Sequence, residues 1–322
     1  MKPSPESARA AAALADAGFD DWTLAVMENR ADHIRGGRCL IRAAAPDGAQ
    51  SMVLKVYAEP GQAQLRFDQL TELRRHTERV VAPVFLDTAR NLYAMQDAGR
   101  TTLADDLGDD DGSDCTLEAM RWLQSFVAQT PTINSRFDPE PTMGHARQLC
   151  DSLDPRYAPR ARRALRSLTR MMAPYAGHER VHHTVFGDMK PENLCRTAPG
   201  APLIGIDYVA AAKLPLERDV AHWLAWMQQR NWRRALSNRR LPGAGADRAN
   251  LAAARQVFGP ALDPGLLRAF LYAGMIEKWV RVRQFQRSPD LVRTVEVRLG
   301  LRPRVELLRP SLRRLMGVFR QP

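Results

Sequence analysis

The residues best equipped for chemistry fall in one stretch. Val181 to Cys195 reads Val-His-His-Thr-Val-Phe-Gly-Asp-Met-Lys-Pro-Glu-Asn-Leu-Cys, and Leu203-Ile204-Gly205-Ile206-Asp207-Tyr208 follows shortly after. Asp188 and Asn193 are five positions apart, and Asp207 comes fourteen after Asn193. Apolar neighbours around each acid imply a buried setting. Leu194 to Arg196 and Leu203 to Ile206 predict two short strands about a turn at Thr197 to Pro202. Such a hairpin returns Asp207 to the neighbourhood of Asn193. Two oxygen ligands on rigid backbone suit Mg²⁺, a hard cation that completes its shell with water and phosphate. Asp188 is then free to orient an attacking hydroxyl or accept its proton. These are the parts of phosphoryl transfer from a nucleoside triphosphate, where catalysis is mostly positioning and charge neutralisation.

Asp188-Met189-Lys190-Pro191-Glu192-Asn193 resembles the catalytic loop of the protein-kinase-like superfamily. The wider pattern is similar to the aminoglycoside phosphotransferase and choline kinase branch. There the loop reads His-Gly-Asp with Asn five residues on, and the metal-binding Asp lies in Ile-Asp-aromatic. This chain has Phe186-Gly187-Asp188, Asn193 and Ile206-Asp207-Tyr208, so Phe186 stands in place of the branch's His. Arg218-Asp219-Val220-Ala221-His222-Trp223 is similar to the segment whose Asp braces the catalytic loop.

The resemblance implies an α+β, two-lobed protein-kinase-like fold. A small lobe over residues 1–96 would carry a five-stranded antiparallel sheet plus a helix and bind the nucleotide. A large, mostly helical lobe over 97–322 would hold the catalytic loop, metal site and acceptor pocket. Asp188 would be catalytic, with Lys190 either reaching the γ-phosphate or pairing with an outer acid. Asn193 and Asp207 would hold Mg²⁺, and ATP, or GTP, would be the donor. Only eleven residues separate Asp207 from Asp219, too few for a peptide-docking activation segment, which favours a small-molecule hydroxyl acceptor. The expected activity is a small-molecule kinase acting on an aminoglycoside, choline-like or sugar-like hydroxyl. The alternatives are an inactive kinase-like binding protein and a kinase of a protein or lipid-glycan acceptor.

Elements upstream must position the nucleotide. An Ala-rich helix is expected over 7–17, then strands at Trp22–Met27, Arg38–Ala43 and Ser51–Tyr57. The third places Lys55 among Val and Leu, where a buried ammonium needs a charged partner. The resemblance assigns Lys55 to the α- and β-phosphates and its partner to the helix over 61–78. Asp68 and Glu72, four apart on one face, are both candidates. The phosphate loop falls near Arg30 to Gly37, where Gly36-Gly37 is the only glycine pair. Strands at 80–86 and 92–96 complete the sheet. Gln96-Asp97-Ala98 resembles the hinge, where the backbone of Gln96 and Ala98 would hold the adenine edge, with Leu54, Met95 and Leu194 as apolar walls.

The remainder reads as helices at 116–129, 143–153, 158–174, 219–229, 247–257, 264–287 and 304–319. An Asp-rich stretch runs from Asp105 to Asp114, and the C-terminal region is rich in Arg. The chain has 322 residues and a formal charge of +11, carried mostly by Arg spread along its length, so a nucleic-acid partner is not expected. Four scattered cysteines form no C-x-x-C pair, which argues against zinc or a disulfide framework. No apolar run is long enough to span a membrane, and the N-terminus lacks a signal-like apolar core, so a cytoplasmic protein is expected. Oligomeric state is left open.

Overall fold

The computed structural model describes residues 4–29, 38–99, 101–108, 111–198, 200–208, 212–237 and 244–285. The expected phosphate loop with Gly36-Gly37, and the last helix with most of the basic C-terminal region, lie outside the described residues.

In chain order the elements begin with α1 (Pro5–Asp16), β1 (Thr23–Asn29), β2 (Arg38–Ala44), β3 (Ser51–Tyr57), α2 (Gln62–His76), β4 (Pro83–Asp87), β5 (Leu92–Gln96) and β6 (Thr101–Thr102). There follow α3 (Ser113–Gln129), β7 (Thr132–Arg136), α4 (Glu140–Asp151), α5 (Ala158–Met172), β8 (Glu179–Thr184), β9 (Leu194–Arg196), β10 (Ile204–Gly205) and β11 (Lys213–Leu214). The described helices close with α6 (Glu217–Ser237), α7 (Ala244–Phe258) and α8 (Pro264–Phe285). They form two compact units that interleave along the chain. The first comprises 1–104, 128–130 and 192–211; the second comprises 105–127, 131–191 and 212–322. A linear cut at 96/97 therefore leaves out the segment that carries Asn193 and Asp207 back to the first unit.

The first unit is built on an antiparallel sheet in the order β1-β2-β3-β5-β4. Strand alternation sends successive side chains to opposite faces of this sheet. Cys39, Ile41 and Ala43 of β2 and Met52, Leu54 and Val56 of β3 pack with Ala10, Ala13 and Leu14 of α1 into one apolar cluster. Ser4 caps α1 through the Ser7 amide at 3.2 Å, with Pro5 at its first turn, a start that proline's fixed φ favours. The alternate residues Arg38, Leu40 and Arg42 of β2 pair in register with Tyr57, Lys55 and Val53 of β3 and form the opposite face. Leu54 thus belongs to the α1 core, not to an adenine wall: it lies on the other side of the sheet from Lys55. Asn91, in a left-handed turn (φ 53°), bonds the Tyr57 and Glu59 carbonyls and accepts the Ala63 amide, tying β3 to the start of α2.

The second unit is mainly helical, with α6 packed along α8. It also contains a three-stranded sheet, β11-β8-β7, whose β8 leads into the Phe186–Asn193 stretch. Trp223 is fully buried and donates its indole N–H to Thr116 at 3.0 Å; Thr116 in turn bonds Asn250, which reaches the Asp111 carbonyl at 2.9 Å. Trp223 is therefore core, with its polar atom satisfied. No helix among the described residues is long and apolar enough to cross a membrane.

Candidate active site

In the first unit β9 and β10 pair antiparallel, and the Ile206 amide donates to the Asn193 carbonyl at 2.8 Å. The hairpin thus sets Asp207 one residue from the position opposite Asn193. Asp207 has φ 60°, a left-handed conformation that Asp tolerates better than most residues. Lys55 Nζ lies 3.0 Å from Asp207 Oδ1, and the Arg38 guanidinium grips the carboxylate as a fork at 2.8 and 3.0 Å. Burial alone would raise the Asp207 pKa, but the Lys55 ammonium and Arg38 guanidinium together hold it far below the usual carboxylate range.

Lys55 is only 3 % exposed, and its charged partner is Asp207 rather than an acid of α2. Asp68 accepts from Gln64 at 2.7 Å, and Glu72 is held by Arg75 and His76 one turn away. Both are spent on their own helix. Asn193 is buried beside this pair on the hairpin.

Of the expected hinge residues, Gln96 donates its amide to the Ala82 carbonyl at 2.8 Å, and Ala98 is buried. Between them Asp97 is gripped by Arg42 at 2.6 and 3.1 Å, accepts Ser51 at 2.9 Å and caps the Gly99 amide at 3.1 Å. A side chain at Gly99 would collide with the Arg196 carbonyl at 2.3 Å, so only glycine lets this segment lie against β9.

In the second unit, Asp219 is 2 % exposed and accepts the backbone amides of Phe186 at 2.6 Å and Gly187 at 3.2 Å. Gly187 has φ 96°, which turns the chain so that both amides reach one carboxylate. Arg218 braces the same turn, bonding the Gly187 carbonyl and lying 3.1 Å from Asp219. Phe186 is fully buried edge-on against Trp122 and Phe126, with ring centres 5.1 and 6.0 Å away. An aromatic packing role is what Phe contributes where the resembling branch has His.

The turn presents Asp188. Lys190 Nζ is 2.5 Å from its Oδ2, and His222 Nε2 from α6 is 3.2 Å from its Oδ1. Burial opposes ionisation of Asp188, but the His222 hydrogen bond and Lys190 charge outweigh it and keep the carboxyl well below its ordinary range. Lys190 thus pairs with Asp188 itself, neither with an outer acid nor toward open space. Burial in turn pushes the His222 pKa down despite the Asp188 contact.

Sequence reasoning did not find Arg38, Arg42 or His222. Arg38 follows directly on Gly36-Gly37 and shares its sheet face with Lys55. His222 lies in the very segment read for Asp219.

Among the described residues no group of three or more His, Cys, Asp or Glu converges as a metal cage. Asp207 and Asn193 nonetheless fit Mg²⁺, which needs few protein ligands. One is a carboxylate held ionised and already binding cations; the other is a buried residue on the facing strand at the same end of the hairpin. Arg38 now occupies both oxygens of that carboxylate.

No protein-family model and no curated protein sequence matches the chain. Solved structures do match in fold. A choline/ethanolamine kinase family protein from Mesorhizobium loti superposes with a TM-score of 0.62 at 13% identity, covering 98% of this chain and 99% of its own. A thermostable mutant of aminoglycoside phosphotransferase APH(4)-Ia superposes with 0.58 at 15% identity, covering 96% and 97%. A glucosamine kinase complex with glucosamine, ADP and inorganic phosphate gives 0.52 at 16%, covering 98% and 84%. The chain therefore has the two-lobed α+β fold of the aminoglycoside phosphotransferases and the choline and ethanolamine kinases.

Proposed function

We propose that the protein is a Mg²⁺- and nucleoside-triphosphate-dependent phosphotransferase that acts on the hydroxyl of a small molecule. The observation that carries this reading is Lys55: a buried strand lysine set 3.0 Å from a carboxylate 152 positions away, on the hairpin that also holds Asn193. A purely structural lysine would be better replaced by an apolar side chain, because burying an ion pair seldom adds stability over well-packed hydrophobics.

Asn193 and Asp207 would hold the metal, which would supply positive charge to neutralise the phosphates. Lys55, released in part from Asp207, takes the α- and β-phosphates. The backbone of Gln96 and Ala98 holds the base edge, with Asp97 locked by Arg42 to keep that segment still. Asp188, ionised and fixed by the Asp219-braced turn, orients the acceptor hydroxyl and takes its proton. Lys190 neutralises Asp188 at rest and is the candidate to meet the γ-phosphate. ATP is the expected donor, with GTP as the variant to test.

A second reading has one observation in its favour. Both key carboxylates are ion-paired, Asp207 with Arg38 and Lys55 and Asp188 with Lys190, as they would be in a kinase-like protein that binds without turnover. Hydrolysis of ATP without acceptor separates the two. The enzyme reading expects slow Mg²⁺-dependent hydrolysis that Asp188→Asn lowers about a hundredfold or more, in keeping with loss of a general base. Equal, background-level release of phosphate from wild type and Asp188→Asn would leave the binding protein.

A further inference from the structure

Two cations claim Asp207, and they are held unequally. Lys55 Nζ and one Arg38 nitrogen share the same carboxylate oxygen, Oδ1, at 3.0 and 2.8 Å, and the other Arg38 nitrogen takes Oδ2 at 3.0 Å. The Lys55 side chain is 4 % exposed and sealed in the sheet, whereas that of Arg38 is 27 % exposed. Arg38 is therefore the partner with room to move. It opens β2 and alternates with Leu40, which lies opposite Lys55 in register, so both cations rise from one face of the sheet.

The same strand offers a comparison. Arg42 forks Asp97 at 2.6 and 3.1 Å and also bonds the Gly99 carbonyl, while Asp97 accepts Ser51 and the Gly99 amide. That pair is more deeply enclosed, with the Arg42 side chain 14 % exposed, and it ties a backbone turn. The Arg38 fork closes instead on the carboxylate expected to carry the metal.

An ionised carboxylate offers about four lone-pair sites, and Arg38 and Lys55 together take three of those on Asp207. A divalent cation would also meet the guanidinium charge at close range. Simple withdrawal of Arg38 would forfeit two charge-assisted hydrogen bonds. A phosphate restores both, because the planar guanidinium matches carboxylate and phosphate alike.

We infer that Arg38 is a polyphosphate-binding residue, which forks Asp207 in the absence of nucleotide and transfers that fork to a nucleotide phosphate, freeing the carboxylate for the metal. This rests on the phosphotransferase reading. One side chain then does two things. It keeps metal from settling on Asp207 before the nucleotide arrives, and it joins Lys55 as a second cation toward the phosphates. Metal and nucleotide binding are coupled through it, and by linkage each favours the other to the same degree.

The test uses full-length wild type, Arg38→Met and Arg38→Lys. Mn²⁺ alone is titrated by electron spin resonance. ADP is titrated by calorimetry once with chelator and once with saturating Mg²⁺, and the ratio of the two affinities gives the coupling. The affinity of Mg²⁺ for ADP in solution is common to all three proteins and cancels. In Arg38→Met, Mn²⁺ alone should bind about tenfold or more tightly, the scale of a lost hydrogen-bonded charge contact, and the coupling should fall by a similar factor. Arg38→Lys, which keeps the charge without the fork, should lie between. The inference is overturned if Mn²⁺ tightens while the coupling stays as in wild type, since Arg38 would then yield to the metal without passing to a phosphate. It is equally overturned if Mn²⁺ binding is unchanged or weaker, as for a residue that only supports the fold. A wild type that binds no Mg·ADP would overturn the phosphotransferase reading itself, whatever Mn²⁺ does in the variants.

Discussion

At the scale of single residues, Asp207 is held by two cations in a backbone conformation that few residues adopt, and each fact has a measurable consequence. Its folded pKa lies below the value near 3.9 of an unfolded Asp. The stability it contributes is therefore complete above about pH 4 and is lost as pH falls through the folded value. Urea unfolding of wild type and Asp207→Asn should differ most at neutral pH, by about 3–5 kcal/mol for a buried pair broken on one side, and the gap should narrow as pH falls below about 4. A gap that did not narrow on acidification would mean the cations do not hold the carboxylate ionised. Arg38→Met removes the fork at 2.8 and 3.0 Å from the carboxylate. Mn²⁺ binding followed by electron spin resonance, without nucleotide, should tighten in that variant; unchanged or weaker binding would show that Arg38 does not compete with the metal.

Lys278 has the opposite sign. Its folded pKa of about 8 lies below the value near 10.4 of an unfolded lysine. The cost of burying its charge is therefore present in full below about pH 8 and disappears as pH rises past the unfolded value. Lys278→Met should stabilise the protein at pH 7 by about 2 kcal/mol, after allowance for the side chain's remaining exposure. That gain should fade between about pH 8 and pH 10. A variant no more stable than wild type at neutral pH would show the ammonium to be well solvated.

At the scale of elements, the catalytic turn depends on Asp219 at the head of α6. Asp219→Ala would leave the buried amides of Phe186 and Gly187 without an acceptor, a cost of about 1–3 kcal/mol each. Thermal unfolding should shift down and hydrolysis should be lost, while Mg·ATP affinity, which draws on the first unit, changes little. Loss of nucleotide binding to the same degree would place the brace in the wrong role.

Much of this level was legible in the sequence because period and spacing mark it. The strand pattern of β2, the run containing Lys55 and the hairpin that returns Asp207 to Asn193 follow from patterns that backbone geometry enforces, whereas the Asp219 brace came from the resemblance of its segment to the kinase branch. The sheet of β7, β8 and β11 was not legible: Thr132–Arg136 and Glu179–Thr184 are short and polar and carry no apolar alternation. Helix α6 runs eight residues past the expected end at Gln229, since Arg230 to Ser237 contains no Gly or Pro to stop it. The partner of Lys55 was misplaced for a different reason. Helix periodicity shows which acids share a face of α2, but only tertiary structure brings a carboxylate from 152 positions away.

At the scale of the whole molecule, the chain passes from the second unit to the first between Asp188 and Asn193 and back again before Asp219. The residues expected to hold metal and phosphate thus belong to one unit, and those expected to handle the acceptor belong to the other. This division predicts that substitutions separate by unit. Those at Lys55, Asn193 and Asp207 should act on nucleotide and metal binding; those at Asp188 and Asp219 should act on turnover. The first half of that division is also the central claim, because without Mg·nucleotide binding no phosphoryl transfer follows.

Calorimetric titration of ATP with and without Mg²⁺ into wild type and Asp207→Ala is the most direct measurement. The predicted result is metal-dependent binding to wild type that is lost in a folded Asp207→Ala. Binding that ignores Mg²⁺, or that survives in Asp207→Ala, would contradict the assignment of Asp207 as the metal-bearing carboxylate and with it the phosphotransferase account.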